Sequence, residues 1–198
     1  MISLPYFAAS ATARTSTLTR DVFDARQAAR DYKPPQWAGL KFFNVYGPNE
    51  EHKSSMKSVV AQKWPDVQAG RPLRLFKSHR NDVEDGGQKR DFVYVRDAAA
   101  VVEWLLENPG VNGIYNLGTG EARSFADLAR ATLAAAGRGE EAMEYVPMPP
   151  AIREKYQYFT QADMSRLRAA GYEAPFTSLE EGVEDYVTNY LATADPYA

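Results

Sequence analysis

The stretch that most constrains how this chain can fold is residues 40–56, Leu-Lys-Phe-Phe-Asn-Val-Tyr-Gly-Pro-Asn-Glu-Glu-His-Lys-Ser-Ser-Met. Leu40, Phe42, Phe43, Val45 and Tyr46 make a short apolar, β-prone run, and Gly47-Pro48 stops it with turn chemistry. The pattern predicts a buried strand that ends at Tyr46. Around that end cluster Asn44, Glu50, Glu51, His52, Lys53, Ser54 and Ser55, where open α/β sheets take their ligands, outside the carboxyl ends of strands. On composition alone the plainer reading holds: Asn44 satisfies backbone groups and Lys53 is a solvated surface charge.

The rest of the chain alternates strand and helix signals. Met56 to Gln68 carries Met56, Val59, Val60, Trp64 and Val67 at helical spacing, with a break expected at Pro65. Leu73 to Phe76 reads as a strand, and residues 77–88 as a polar loop. A strand is expected over Arg90 to Val95, then a helix over Ala98 to Glu107 capped by Asp97. Gly113 to Leu117 is the next strand, followed by a helix over Phe125 to Ala136 begun by Ser124 with Asp127 three residues on. Met143 to Val146 reads as a strand. Helices are expected over residues 160–170, capped by Thr160 and closed at Gly171, and over 178–191, opened by Ser178 with Glu181. Near the start, residues 8–19 are rich in Ala, Ser and Thr, and residues 21–32 have helical spacing ended by Pro34-Pro35.

Gly118-Thr119-Gly120, between a strand and a helix, invites a dinucleotide-binding reading, with Glu140 or Glu141 about 20 residues downstream as the ribose acid. Arg123 occupies the third glycine position, where the fingerprint needs close helix packing, so the reading fails.

A chain of 198 residues suffices for one domain with a core. The net charge of −3 disfavours a protein that coats nucleic acid. With no Cys and two His, neither a disulfide framework nor a zinc site is expected, and no metal is assigned. No apolar run nears the ~20 residues of a membrane span, and no signal peptide is visible, so the expected location is cytoplasmic.

Beside these readings stands a resemblance. Phe-Asn-Val-Tyr-Gly-Pro, His-Lys-x-Ser-Met, Leu-Phe-Lys-Ser, Lys-Arg-Asp-Phe-Val-Tyr-Val, Asn-Leu-Gly-Thr-Gly and Tyr-Gln-x-Phe-Thr-Gln-Ala-Asp follow one another from about Trp37 to Leu191. Together they resemble the carboxyl-terminal part of the ADP-glyceromanno-heptose 6-epimerases, which are extended short-chain dehydrogenases/reductases. Asn-Val-Tyr-Gly-Pro is common to many nucleotide-sugar epimerases and dehydratases, whereas the His52-Lys53-x-Ser55-Met56 continuation is narrower. The resemblance implies an α/β fold, with the terminal part of a Rossmann-type parallel sheet and a small mixed α/β substrate-binding lobe. It implies Lys53 as a proton acceptor that also touches the cofactor, Val45 as a cofactor contact, and NADP as the cofactor. It implies substrate contacts at Asn44, Ser55, Phe76, Lys77, Ser78, His79, Arg90 and Tyr156; Gln62 stands where the family often has a substrate-contacting His. The physical case is independent of the name: a planar guanidinium such as Arg90 suits phosphate oxygens, and a lysine base needs its neutral form.

Two departures shape the expected function. Residues 1–36 read as a truncated or divergent remnant, too short for a glycine-rich cofactor half, ahead of an epimerase segment at 37–198. The family's Tyr-x-x-x-Lys pair is also missing: Ser16 and Arg20 fall where it belongs, and neither Tyr6 nor Tyr32 is followed by Lys four residues later. The expectation is part of an NADP-dependent nucleotide-sugar epimerase that binds a nucleotide diphosphate sugar, with neither cofactor binding nor turnover by this chain alone. A homo-oligomer is compatible with it. The alternatives are a stand-alone nucleotide-sugar binding module and another epimerase or dehydratase of the same superfamily.

Overall fold

The computed structural model describes residues 6–9, 30 and 35–195. The readings for residues 8–19 and 21–32, and for Ser16 and Arg20, therefore lie largely outside the described residues. The chain is α/β. Strands β1 (Tyr6–Ala9), β2 (Trp37–Phe42) and β6 (Gly113–Leu117) form a parallel sheet in the order β1-β2-β6. A second sheet has the order β3 (Asn44–Tyr46), β5 (Lys89–Tyr94), β7 (Ala122–Ser124), with β3 parallel and β7 antiparallel to β5. A third pairs β4 (Leu73–Phe76) with β8 (Met143–Val146), again in parallel.

The helices are α1 (Val59–Gln68), α2 (Val95–Glu107), α3 (Phe125–Ala135), α4 (Pro150–Arg153), α5 (Ser165–Ala169) and α6 (Leu179–Tyr186), the last running on into a π-helical turn over Val187–Leu191. Each parallel pair needs a crossover: α1 lies in the connection from β3 to β5, and α2 in the longer one from β2 to β6.

The single strand expected over 40–46 is two strands in two sheets. Phe43 N–H still donates to Leu117 on β6 (3.0 Å), but Val45 N–H turns back onto the Phe43 carbonyl (3.0 Å). This tight three-residue turn at Asn44 lets the chain leave β6 and pair with β5. Leu40 and Tyr46 are buried as expected, whereas Asn44 is exposed.

Strand β5 lies between two cores. Phe92 and Tyr94 face one, with Tyr46, Trp64, Leu75, Leu128 and Val183. Val93 faces the other, with Leu40, Val101, Leu105, Leu117 and Leu167. Successive strand residues point to opposite faces, so a strand covered on both sides reads as a continuous apolar run. The same alternation puts Arg90 on the Phe92 face and Asp91 on the Val93 face.

Several boundaries differ from those expected. Helix α2 starts at Val95, not Ala98, and Asp97 is no cap: its carboxylate accepts Thr177 N–H (2.9 Å) and Oγ1–H (2.8 Å), tying α2 to the approach to α6. Pro65 lies on an exposed side of α1 without ending it; the helix starts later than expected, behind a 3-10 turn over Glu51–Met56, with Ser58 as its cap. The helix expected over 160–170 shrinks to α5. Thr160 N–H donates to the Lys89 carbonyl and Lys89 N–H to the Tyr158 carbonyl, so this segment spends its backbone groups on β5 instead of a helical turn. The caps at Ser124 and Ser178 are reciprocal, with Asp127 and Glu181, as expected.

Candidate functional site

Arg90 anchors the site. It is buried at 8% exposure, yet no carboxylate among the described residues pairs with it. Its two candidate partners are spent elsewhere, Asp97 on Thr177 and Asp91 on the Gly118–Gly120 turn. The guanidinium instead donates to the backbone carbonyls of Lys89 (2.8 Å) and Gln157 (2.5 Å) and lies over the rings of Tyr156 (5.4 Å) and Phe125 (5.5 Å). Burial pulls its pKa below the usual arginine range, the Tyr156 phenol opposing weakly. A desolvated cation held by carbonyls and ring faces retains attraction for an anion.

Rings extend the cluster. Phe76, at the end of β4, meets Tyr156 edge-on at 6.4 Å, and Tyr156 meets Tyr158 at 5.9 Å. Burial also raises the Tyr156 pKa, against the pull of Arg90. His79 N–H donates to the Tyr158 hydroxyl (2.9 Å), and Ser78 N–H to Asp85 (2.7 Å), which folds the 77–88 loop beside the rings. Lys77 is exposed and tied through its N–H to Val146 (2.8 Å). An open cavity of about 650 Å³ flanks this cluster, lined among others by Arg80, Lys89, Ser124, Asp127, Tyr158 and Phe159.

A second group sits beyond the end of β3. Lys53 lies 3.8 Å from Glu50, and the Gln62 amide donates to the Ser55 (3.1 Å) and Lys57 (2.6 Å) carbonyls. Asn44 and Val45 connect the groups through register, opposite Phe92 and Val93 on β5, with Arg90 about two residues (~7 Å) earlier on that strand. Phe76 and Arg90 thus both meet Tyr156. Lys53, Ser55 and Gln62 form a neighbourhood of their own, and no hydrogen bond or ion pair joins the two groups among the described residues.

Sequence reading missed Phe125 and Tyr158, the rings that complete the aromatic surround. A phenylalanine at the start of a helix and a tyrosine in a loop carry no spacing signal. It also gave Asp91 no role beyond that of a possible partner for Arg90. At 0% exposure, Asp91 accepts Thr119 N–H (2.7 Å) and Oγ1–H (2.8 Å), Gly120 N–H (2.9 Å) and Ala162 N–H (3.0 Å). Here the Gly-x-Gly turn is filled by a carboxylate of the chain itself, which takes the Thr119 and Gly120 amides that a pyrophosphate would need. Among the described residues that turn does not fit a dinucleotide.

Comparison with known proteins fits this geometry. Residues 24–118 match the model of the NAD dependent epimerase/dehydratase family. This segment is epimerase/dehydratase-family sequence. Over 160 residues, 81% of its length and 49% of the relative's, the chain is 52% identical to an ADP-L-glycero-D-manno-heptose-6-epimerase of Nitratidesulfovibrio vulgaris. Among solved structures it is similar to the Helicobacter pylori ADP-L-glycero-D-manno-heptose-6-epimerase, with TM-score 0.68 and 25% identity over 86% of this chain and 49% of that one. It is also similar to the Thermus thermophilus UDP-glucose 4-epimerase solved with NAD, with TM-score 0.69 and 29% identity over 87% of this chain and 51% of that one. The chain spans about half the length of the curated relatives it matches.

Proposed function

We propose that this chain forms the substrate-binding side of an NADP-dependent nucleotide-sugar epimerase acting at C6 of an ADP-heptose, a precursor of lipopolysaccharide, in the cytoplasm. The observation that carries the reading is Arg90: a buried guanidinium with no carboxylate partner among the described residues, lying over Tyr156 and Phe125 with Phe76 against Tyr156, suits a diphosphate attached to a planar base. Asn44, Ser55 and the Phe76–His79 segment complete the substrate contacts, with Gln62 beside Ser55. Lys53 is the proton acceptor, and Val45 and Lys53 are this chain's contacts to the cofactor. Residues 37–198 are the unit that does this, and no partner beyond the sugar nucleotide and a second copy of the chain is invoked.

The reaction the family name implies removes and returns a hydride, which a nicotinamide supplies when bound. With Asp91 holding the amides of the Gly118–Gly120 turn, which then offers a pyrophosphate no cradle, the 198-residue chain with added NADP is expected to show no interconversion of ADP-heptose epimers by chromatography. Robust turnover abolished by Lys53→Ala would overturn that expectation.

Binding tests the reading more directly. Calorimetry should rank ADP-heptose above UDP- and dTDP-sugars, and Arg90→Ala should weaken binding by about 10-fold or more. A chain that prefers UDP- or dTDP-sugars belongs to another branch of the superfamily. A second reading, sugar-nucleotide binding without catalysis, is favoured by one fact: no tyrosine in the sequence is followed four residues later by lysine. Turnover by the chain would dismiss it.

A further inference from the structure

We infer that Glu50 is a positioning residue for Lys53, and that the loop from Gly47 to Ser58 is built around its carboxylate; the inference deepens the proposed role of Lys53 and rests on it. Glu50 is buried, at 3% exposure, in a loop whose neighbours Asn49 and Glu51 are exposed. A buried carboxylate is costly unless its oxygens are supplied with donors. One oxygen accepts Gly47 N–H (3.0 Å), at the strand end, and the other accepts Ser58 N–H (2.5 Å), at the cap of α1. The second oxygen is also the one 3.8 Å from the Lys53 amine, and the Lys53 backbone N–H donates to the Glu50 carbonyl (2.9 Å). Strand end, helix start and lysine are therefore held by one side chain.

The backbone is strained to achieve this. Asn49 and Ser54 both have positive φ, 68° and 50°, a conformation that costs a non-glycine residue of order 1–3 kcal/mol. Gly47 has φ 140°, and a Cβ there would run into Val95 and Tyr94. These three positions flank Glu50 and Lys53 and turn them towards each other. A loop that served only to connect β3 with α1 would need neither the strain nor a buried charge. Glu50 also acts on Tyr186, whose pKa burial and then the Glu50 and Glu51 charges raise, while the exposed Glu51 pairs with Lys57.

Reductive methylation with 13C-formaldehyde labels every lysine amine, and the Lys53 signal is the one lost in Lys53→Arg. In the folded chain it should stand apart from the exposed-lysine signals. Glu50→Gln removes the charge while keeping the shape, and should move the signal into the exposed group; Glu50→Asp, which draws the carboxylate back by one methylene, should move it part of the way. A Lys53 signal already among the exposed lysines, or one unmoved by Glu50→Gln in a protein still folded by circular dichroism, overturns the inference. If Glu50→Gln does not fold, Glu50→Asp decides by the same criterion. Because the measurement uses neither substrate nor turnover, it separates this inference from the proton-acceptor role, which stands or falls with the catalytic test of Lys53.

Discussion

Arg90 and Tyr156 interact as a pair, and their substitutions should differ in kind. Arg90→Lys keeps the charge but loses the planar fork and the stacking on two rings, so it should weaken ADP binding nearly as much as Arg90→Ala, by about 10-fold or more in calorimetry. Tyr156→Phe keeps the ring face under the guanidinium and should cost less than threefold, whereas Tyr156→Leu should approach the arginine variants. Equal losses for Phe and Leu at position 156 would mean that the hydroxyl, not the ring, makes the contact. Arg90 was singled out in the sequence only through the family motif Lys-Arg-Asp-Phe-Val-Tyr-Val in which it stands. That it would be left without a carboxylate was not legible, since its potential partners are claimed by residues 28 to 80 positions away from them in the chain.

At the scale of elements, periodicity located what packing confirms: β4, β6 and β8 begin and end where alternation and turn residues place them. The kink at Asn44 was illegible because apolar, β-prone residues flank it on both sides, Phe42-Phe43 before and Val45-Tyr46 after; what divides β2 from β3 is a choice of hydrogen-bonding neighbour, which leaves no mark in composition. The α4 turn and β7 escaped for the same reason, being short and set by context. The capping box of α3 was legible and is testable. Burial alone would raise the Asp127 pKa, but hydrogen bonds from the Ser124 N–H and hydroxyl and the nearby Arg123 hold it below the usual carboxylate value. A carboxyl depressed in the folded state contributes stability above its unfolded pKa, near ~4, and loses it as pH falls through the folded value. Ser124→Ala should therefore destabilise by about 1 kcal/mol at neutral pH, and the difference in urea midpoint from the parent should shrink below about pH 3. A difference constant down to pH 2 would place the effect in packing.

For the whole molecule, acid sensitivity should exceed that of the α3 cap alone. Glu180, Glu181 and Asp185, all on α6, are likewise held below their ordinary values: Glu180 chiefly by the Arg123 fork, Glu181 by Ser178, and Asp185 by Tyr94 and Asn189 despite an opposing burial effect. All carry the same sign, so the thermal midpoint should fall steadily as pH drops from about 5 to 2. A midpoint flat across that window would show that these contacts add nothing to folding.

Asp91 has a consequence for how freely the chain can vary in length. One carboxylate gathers donors from Thr119, Gly120 and Ala162, so the spatial relation of these segments to Arg90 is fixed where they meet and not by the chain that runs between them. The α2–β6 turn at Pro109-Gly110 lies within one of those intervening stretches, is exposed, and would have nothing near an added Cβ at Gly110. Four Gly/Ser residues inserted there should leave ADP affinity within about twofold, because lengthening a loop costs only a few tenths of a kcal/mol to about 0.6 and the added residues touch no part of the site. Moving the same insertion to follow Ala162 should abolish binding. Natural insertions and deletions in relatives of this chain should then gather between the residues that Asp91 holds and avoid those residues themselves.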